Sequence, residues 1–174
     1  MKPQILAQGA EAIITLENNN IIKDRIKKSY RIPFIDERLR KSRTKSEAKI
    51  INKLREIIPV PKIINTDNKQ EIIMEYIQGK KLSDNLEKLN YKEICKQIAD
   101  NITNLHNQNI IHGDLTTSNM IYVDDSNSVN KTDASLNQSS AQHLDLNINN
   151  KNNNPSKNNS KIYFIDFGLA FHSM

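Results

Sequence analysis

A polar stretch of 37 residues, from Asp124 to Ser160, most constrains what this 174-residue chain can fold into. Eleven of its residues are Asn, and most of the others are Ser, Asp, Lys or Gln. Such a composition buries too little apolar surface to offset the entropy lost on ordering. We therefore interpret residues 124–160 as a disordered insertion between two short apolar strands, Met120–Val123 and Ile162–Ile165, whose pairing it still permits.

Composition narrows the class of protein. The length and a hydrophobic fraction of 37% fit one domain or two small lobes that share a core. Cys95 is the single cysteine of the sequence, so no internal disulfide can form, and we expect a reducing setting: cytoplasmic, or nuclear in a eukaryote. No run approaches the roughly 20 apolar residues of a membrane span, and residues 1–9 break off before they could form a signal-peptide core. We expect a soluble protein with no membrane partner.

Apolar runs separated by turn residues predict an antiparallel sheet in the first part of the chain. Two runs between Gln4 and Leu16 flank a turn at residues 8–11, and a third run ends at Lys23. Two more strands are predicted at Lys62–Ile64 and Ile72–Ile77. Before these two strands, apolar residues at helical spacing predict a helix from about Lys45 to Ile58, stopped by two prolines.

The later part of the chain is predicted to be mainly helical. Leu82, Leu86 and Leu89 indicate a short helix, and an apolar stripe from Tyr91 to Leu105 indicates a longer one. This second helix leads the chain to His112. We interpret His112 and His106 as structural, because both adjoin apolar residues and neither has a partner at metal-ligand spacing.

Three oxygen-bearing side chains after this helix point to a chemistry. Asp114 and Asn119 lie in His112-Gly113-Asp114-Leu115-Thr116-Thr117-Ser118-Asn119, and Asp166-Phe167-Gly168 follows an apolar run. Phosphoryl transfer needs an acceptor held in line, divalent ions on the phosphates and compensation of charge. An acid, an amide and a second acid at these spacings suit that need. The alternative is that Asp114 and Asn119 only satisfy turn backbones.

The order of strands, helices and motifs resembles the protein-kinase superfamily and, within it, the Bud32/PRPK group of small atypical kinases. The segments that carry the resemblance are Gln8–Ala12, Ile22–Arg25, Lys28–Pro33, Asp36, Arg43–Ala48, Met74–Gly79, Leu105–His106, His112–Asn119 and Asp166–Leu169. The resemblance implies an α+β, two-lobed fold. Residues 1–77 would form an N-lobe with a five-stranded antiparallel sheet and one main helix, and residues 78–174 a small, incomplete helical C-lobe.

The resemblance also implies roles for the polar residues. Asp114 would be catalytic and accept the proton of the acceptor hydroxyl, while Asn119 and Asp166 would hold Mg²⁺. Lys23 would hold the α- and β-phosphates of ATP, and Glu47 would steady Lys23. Another interpretation of Glu47 stays open, since Thr44-x-x-Glu47 is also a capping box, in which Glu47 would reach its own helix start.

Two further segments would contact the nucleotide. Backbone amides of Gly9, Ala10 and Glu11 would face the phosphates, although this turn has one glycine where ordinary kinases have three. The resemblance implies a hinge at Met74–Ile77, where backbone groups of about Glu75 and Ile77 would meet the adenine.

The resemblance implies an ATP-dependent Ser/Thr kinase or ATPase that supports threonylcarbamoyladenosine (t6A) modification of tRNA. It would act within a KEOPS-like complex, beside Kae1-like and Cgi121-like proteins. From Lys23 to Lys45, ten Lys and Arg stand against three acids, which suggests a surface for tRNA or merely a solvated helix face. Two other functions stay open: a small-molecule phosphotransferase, and a nearly inactive nucleotide-binding scaffold subunit that binds tRNA and partners.

Six residues follow Gly168, whereas kinase-like folds continue with an activation segment and further helices. We therefore expect a fragment or a truncated form, in which nucleotide binding is a safer expectation than catalysis.

Overall fold

The computed structural model describes residues 3–124 and 160–173. Within these ranges the chain begins with a five-stranded antiparallel sheet of spatial order β1-β2-β3-β5-β4. Its strands are β1 (Gln4–Gln8), β2 (Ala12–Glu17), β3 (Asn20–Arg25), β4 (Ile63–Thr66) and β5 (Glu71–Glu75). Asn18 and Asn19 close the β2–β3 hairpin with positive φ angles of 49° and 62°, which Asn tolerates. The predicted sheet is thus confirmed.

The main helix, α1, spans Pro33–Leu54, so the predicted span of about Lys45 to Ile58 is wrong at both ends. Pro33 stands at the first helical position, where its fixed φ favours a helix start. The buried Asp36 then accepts hydrogen bonds from the Lys28 amide and the Arg40 side chain. Helix-period apolar residues begin only near Ile50, so the sequence pattern misses the first three turns.

The position of Thr44 decides between the two interpretations of Glu47. Thr44 lies inside α1 rather than at its start, so the capping-box interpretation is wrong. Thr44, Glu47, Ala48 and Ile51 are all buried, at the spacing of one helix face. Two members of this buried stripe are polar, so the spacing of apolar residues alone does not indicate it.

The later part of the chain carries shorter elements. They are β6 (Lys80–Lys81), α2 (Leu82–Asn85), a 3₁₀ turn (Leu86–Lys88), α3 (Tyr91–Asn107), β7 (Ile110–Ile111), a second 3₁₀ turn (Thr117–Asn119), β8 (Met120–Asp124), β9 (Ser160–Phe164) and β10 (Phe171–His172). β6, β8 and β9 form one small sheet, and β7 pairs with β10. No helix in the described ranges is long and apolar enough to cross a membrane.

One apolar cluster joins α1 to the later elements. Its buried members include Ile51 and Leu54 of α1, Ile94 and Leu105 of α3, and Phe164 of β9. Burial of such side chains stabilises a fold by roughly 1.5–3 kcal/mol each. The helix that carries Glu47 is therefore fixed against the part of the chain that carries the catalytic loop.

The disorder predicted for residues 124–160 concerns residues that lie almost entirely outside the described ranges. Its two end residues are described, and they correct the boundaries: Asp124 ends β8, Ser160 begins β9, and the two are paired. The division of the chain into residues 1–77 and 78–174 stays a prediction.

Candidate active site

A cleft of about 750 Å³ lies between the five-stranded sheet and the catalytic loop. The ten residues predicted for the site all line it: Gly9, Ala10, Glu11, Lys23, Glu47, Glu75, Ile77, Asp114, Asn119 and Asp166. They come from the sheet, α1, the segment after β5, the catalytic loop and the segment after β9. The structure thus gathers residues that are up to 157 positions apart in the sequence, as between Gly9 and Asp166.

Lys23, Glu47 and Asp166 form the charged centre of the cleft. The Lys23 ammonium donates to Glu47 Oε1 at 2.7 Å and to Asp166 Oδ1 at 2.8 Å. Glu47 is fully buried and Lys23 nearly so, whereas 49% of the Asp166 side chain is exposed. The ion pair expected of Lys23 and Glu47 is therefore present. It joins β3 to α1 and both to the segment that follows β9.

The pKa of the Asp166 carboxyl lies below its ordinary value. Partial burial of the carboxylate works in the opposite direction, but the charge of Lys23 and its hydrogen bond outweigh it. The Gly168 amide adds a weaker hydrogen bond, at 3.3 Å. Asp166 is therefore an anion at neutral pH, as a metal ligand must be.

Sequence reasoning missed the role of Arg25 at this centre. Arg25 is 4% exposed, lines the cleft and donates from Nη2 to Glu47 Oε2. A signal was available, because side chains two positions apart on a strand point to the same face. Lys23 and Arg25 are such a pair on β3, so a lysine directed at the cleft implies an arginine beside it.

The catalytic loop is held by its own hydrogen bonds. Asn119 donates from Nδ2 to the Asp114 carbonyl at 2.9 Å and to Asp114 Oδ2 at 3.1 Å. The Asn119 carbonyl accepts from the Ile165 amide at 3.0 Å, which ties the loop to the Asp166 segment. Because the amide nitrogen of Asn119 is engaged, its side-chain oxygen Oδ1 is the atom left to face a cation.

His112 contacts both the catalytic loop and the segment that precedes Asp166. Its Nε2 lies 3.1 Å from the Ile165 carbonyl, and the Asp114 amide donates to its Nδ1. The ring also packs on Phe167, with 4.6 Å between the ring centroids. Burial lowers the pKa of His112, so the ring is neutral at physiological pH and can donate from Nε2 while accepting at Nδ1. Its interpretation as a structural, hydrogen-bonded residue is confirmed.

The turn between β1 and β2 is tied to α1 through Glu11. Glu11 accepts from Arg43 at 2.8 Å and from Arg31 at 3.2 Å. Partial burial would raise the pKa of Glu11, but these two arginines hold it below its ordinary value. The Gly9 amide donates to the Ala12 carbonyl, so it closes the turn and is not free for a phosphate. Within the described residues, the amides of Ala10 and Glu11 have no such backbone acceptor.

The cleft also has apolar walls. They include Ile14 and Ile21 of the sheet, Met74 near the end of β5, and Ile121 and Ile165 from the later part of the chain. The Glu75 amide donates to the Lys62 carbonyl at 2.9 Å, and Ile77 is 8% exposed. A flat apolar group such as a nucleobase suits these walls, while anionic groups suit the position beside Lys23.

The donor set fits magnesium. Mg²⁺ prefers oxygen ligands and is bound by one or two protein groups together with waters and substrate phosphates. The Asp166 carboxylate and the Asn119 side-chain oxygen are such groups on one cleft. No cluster of three or more His, Cys, Asp or Glu that could hold a metal occurs in residues 3–124 and 160–173, so the remaining ligands would come from a phosphate and water.

Fold and site together define a class. An antiparallel sheet with a Lys–Glu ion pair, above a loop that carries an acid and an amide and beside Asp-Phe-Gly, is the arrangement of kinase-like proteins, and the fold is α+β. A solved structure of the Rio2 kinase from Chaetomium thermophilum, described as an ADP/Mg²⁺-phosphoaspartate complex, matches the fold of this chain with a TM-score of 0.60. The match covers 97% of this chain and 48% of that one at 16% identity, so it shows the fold alone.

Sequence comparison identifies the family. The family model of the RIO domain matches residues 19–135. The KEOPS complex subunit Bud32 of Pyrococcus abyssi is 38% identical over 182 aligned residues, covering 96% of this chain and 67% of that protein. A probable bifunctional tRNA threonylcarbamoyladenosine biosynthesis protein of Methanothermobacter thermautotrophicus is 42% identical over 127 residues, covering 70% and 23%. The chain belongs to the RIO-domain family and, within it, to the Bud32 group.

Proposed function

We propose that this protein binds ATP with Mg²⁺ in the cleft and transfers or hydrolyses the terminal phosphoryl group as a Bud32-type atypical Ser/Thr kinase or ATPase. The gathering of Lys23, Glu47, Asp114, Asn119 and Asp166 on one cleft carries this proposal. The apolar walls would take the base, and Lys23 the phosphates. Membership of the Bud32 group supports the same assignment.

Each of these residues has a role that follows from the chemistry of its side chain. Lys23 has three donors, of which Glu47 and Asp166 take two, so one remains for a phosphate oxygen. Asp114 would orient the acceptor hydroxyl and take its proton, and its hydrogen bond from Asn119 fixes it for that task. Asn119 and Asp166 would hold Mg²⁺, which when bound neutralises charge on the phosphates.

The biological setting belongs to the same proposal. Relatives are named as subunits of the KEOPS complex and as a tRNA threonylcarbamoyladenosine biosynthesis protein. We infer that this chain supports t6A modification within such a complex, beside Kae1-like and Cgi121-like proteins. Part of the basic segment 23–45 would contact tRNA.

The structure reduces the basic segment to a smaller surface. Lys23 and Arg25 are buried in the cleft, and Arg31, Arg40 and Arg43 form ion pairs with Glu11 or Asp36. The exposed cations that remain are Lys27, Arg38, Lys41 and Lys45. These four would supply the contacts to phosphate groups of the RNA.

The test of the enzymatic proposal is magnesium-dependent ATP hydrolysis by the unaltered protein and by Asp166→Ala. The variant should lose hydrolysis, since it loses the carboxylate that would hold the metal. Glu56→Ala is a matched control, because Glu56 is an acid 87% exposed at a distance from the cleft. Equal hydrolysis by the protein with and without Asp166 would refute the proposal.

A further inference from the structure

Glu47 has two cationic partners, Lys23 and Arg25, and this arrangement indicates a function for Arg25. Oε1 of Glu47 accepts from Lys23, while Oε2 accepts from Arg25. Glu47 is fully buried, and Lys23 and Arg25 are 6% and 4% exposed. A buried carboxylate without a neighbouring cation is strongly unfavourable, so at least one partner must stay with Glu47 in every state of the site.

Several groups compete for the Lys23 ammonium, whereas the ion pair of Arg25 is with Glu47. Its ammonium contacts both Glu47 and Asp166, and under the proposed function it must also meet a phosphate. Arg25 contacts Glu47 through a guanidinium, a group that stays charged at any physiological pH. With Arg25 on Oε2, Glu47 engages Lys23 through Oε1 alone, and Lys23 can meet a ligand without leaving Glu47.

Arg25 also lies against the Asp166-Phe167-Gly168 segment. A side-chain carbon built on Gly168 would lie 3.2 Å from Arg25 Nη2 and 3.1 Å from Asp166 Oδ1. The absence of a side chain at Gly168 therefore leaves room for the guanidinium. Asp166 itself has a left-handed backbone with φ of 60°, which few non-glycine residues adopt, so its position depends on the contacts around it.

We propose that Arg25 is a positioning residue that occupies one oxygen of Glu47, so that Lys23, still paired with the other oxygen, keeps a donor free for a nucleotide phosphate. The inference rests on the proposed nucleotide site and adds a residue that acts through another. Arg25 contributes by removing competition for Lys23, not by touching the nucleotide.

The test is the affinity for ADP, with and without Mg²⁺, measured by calorimetry on the full chain. In Arg25→Met, Glu47 retains Lys23 as its cation, and ADP affinity in Mg²⁺ should fall about tenfold, or about 1.4 kcal/mol. In Glu47→Gln the carboxylate that competes for Lys23 is gone. Adding Arg25→Met to the Glu47→Gln variant should therefore lower the affinity for ADP by less than about twofold. Arg55→Met, an exposed arginine away from the cleft, controls for loss of one charge.

A role limited to folding predicts another pattern. The loss caused by Arg25→Met would then be the same with Glu47 or Gln at position 47, and that result would overturn the proposal, as would an unchanged affinity in Arg25→Met. Arg25→Lys keeps a cation and guards against a variant that does not fold; its loss should be smaller and should also vanish with Glu47→Gln. Absence of ADP binding by the unaltered protein would overturn the nucleotide site itself, which separates that failure from a failure of Arg25.

Discussion

Lys23 connects three parts of the chain through one ammonium group. Its contacts with Glu47 and Asp166 join β3, α1 and the segment after β9, at distances of 2.7 and 2.8 Å. Exposed ion pairs contribute little to stability, but this one is shielded from water on the Lys23 and Glu47 side. Removal of one partner leaves a buried charge, so each side chain of the centre depends on the others.

Replacement of Arg43 tests whether nucleotide affinity depends on the position of the β1–β2 turn or only on the net charge of the protein. Arg43→Met removes one of the two cations on Glu11, which loosens the β1–β2 turn and leaves Glu11 less neutralised near the phosphates. Exposed ion pairs contribute about 0.2–1 kcal/mol each, so nucleotide affinity should fall by between about 1.4-fold and about fivefold. Arg38→Met is the matched control, an exposed arginine on the same helix. Equal losses in both variants would show that only net charge matters.

Gly113 has a conformation and a position that exclude a side chain. Its φ is 79°, and a side-chain carbon there would overlap the carbonyl of Leu169. Gly113→Ala should lower the free energy of unfolding by at least about 1–2 kcal/mol, the cost of a left-handed non-glycine residue, and displace Asp114. Gly9→Ala is the comparison in urea denaturation, because the nearest atom would be 3.8 Å away. No difference between the two variants would contradict this account of the catalytic loop.

At the scale of elements, α1 shows where sequence patterns inform and where they do not. Its last turns follow an apolar period and could be predicted, but its first three turns expose Phe34, Ile35 and Leu39 and give no such period. The buried stripe also contains Thr44 and Glu47, whose burial follows from contacts with distant residues. Arg43 was missed as a site residue for the same reason, since its partner Glu11 lies far away in the sequence.

The exposed cations of α1 make a prediction for RNA binding. Arg38→Ala with Lys41→Ala should weaken tRNA binding, and the slope of log affinity against log salt should fall by roughly one for each phosphate group that is no longer neutralised. Lys69→Ala, on the turn between β4 and β5, is the control for removal of a cation elsewhere on the surface. A salt-insensitive affinity, or a slope that the double variant leaves unchanged, would argue against α1 as an RNA surface.

For the whole molecule, the larger strands and helices and the residues Asp114, Asn119 and Asp166 could be predicted from local patterns and motif spacing, and the other seven site residues from the family resemblance. The element ends could not: β5 ends at Glu75 rather than Ile77, and β8 and β9 extend to Asp124 and Ser160 through pairing with each other. Tertiary contacts decide where these elements end, and no local pattern contains that information. The second partner of Glu47 was not predicted, although the spacing of Lys23 and Arg25 on β3 places both side chains on one face.

The central claim is that one cleft holds a magnesium-loaded nucleotide between Lys23 and the pair Asn119 and Asp166. A crystal structure of the full chain with ADP and Mg²⁺ tests it most directly. The account predicts the base against Met74 and Ile77, a phosphate oxygen on Lys23, and a metal ion that bridges Asp166, Asn119 and the phosphates. A nucleotide bound elsewhere, or in this cleft with its phosphates away from Asp166, would contradict the account.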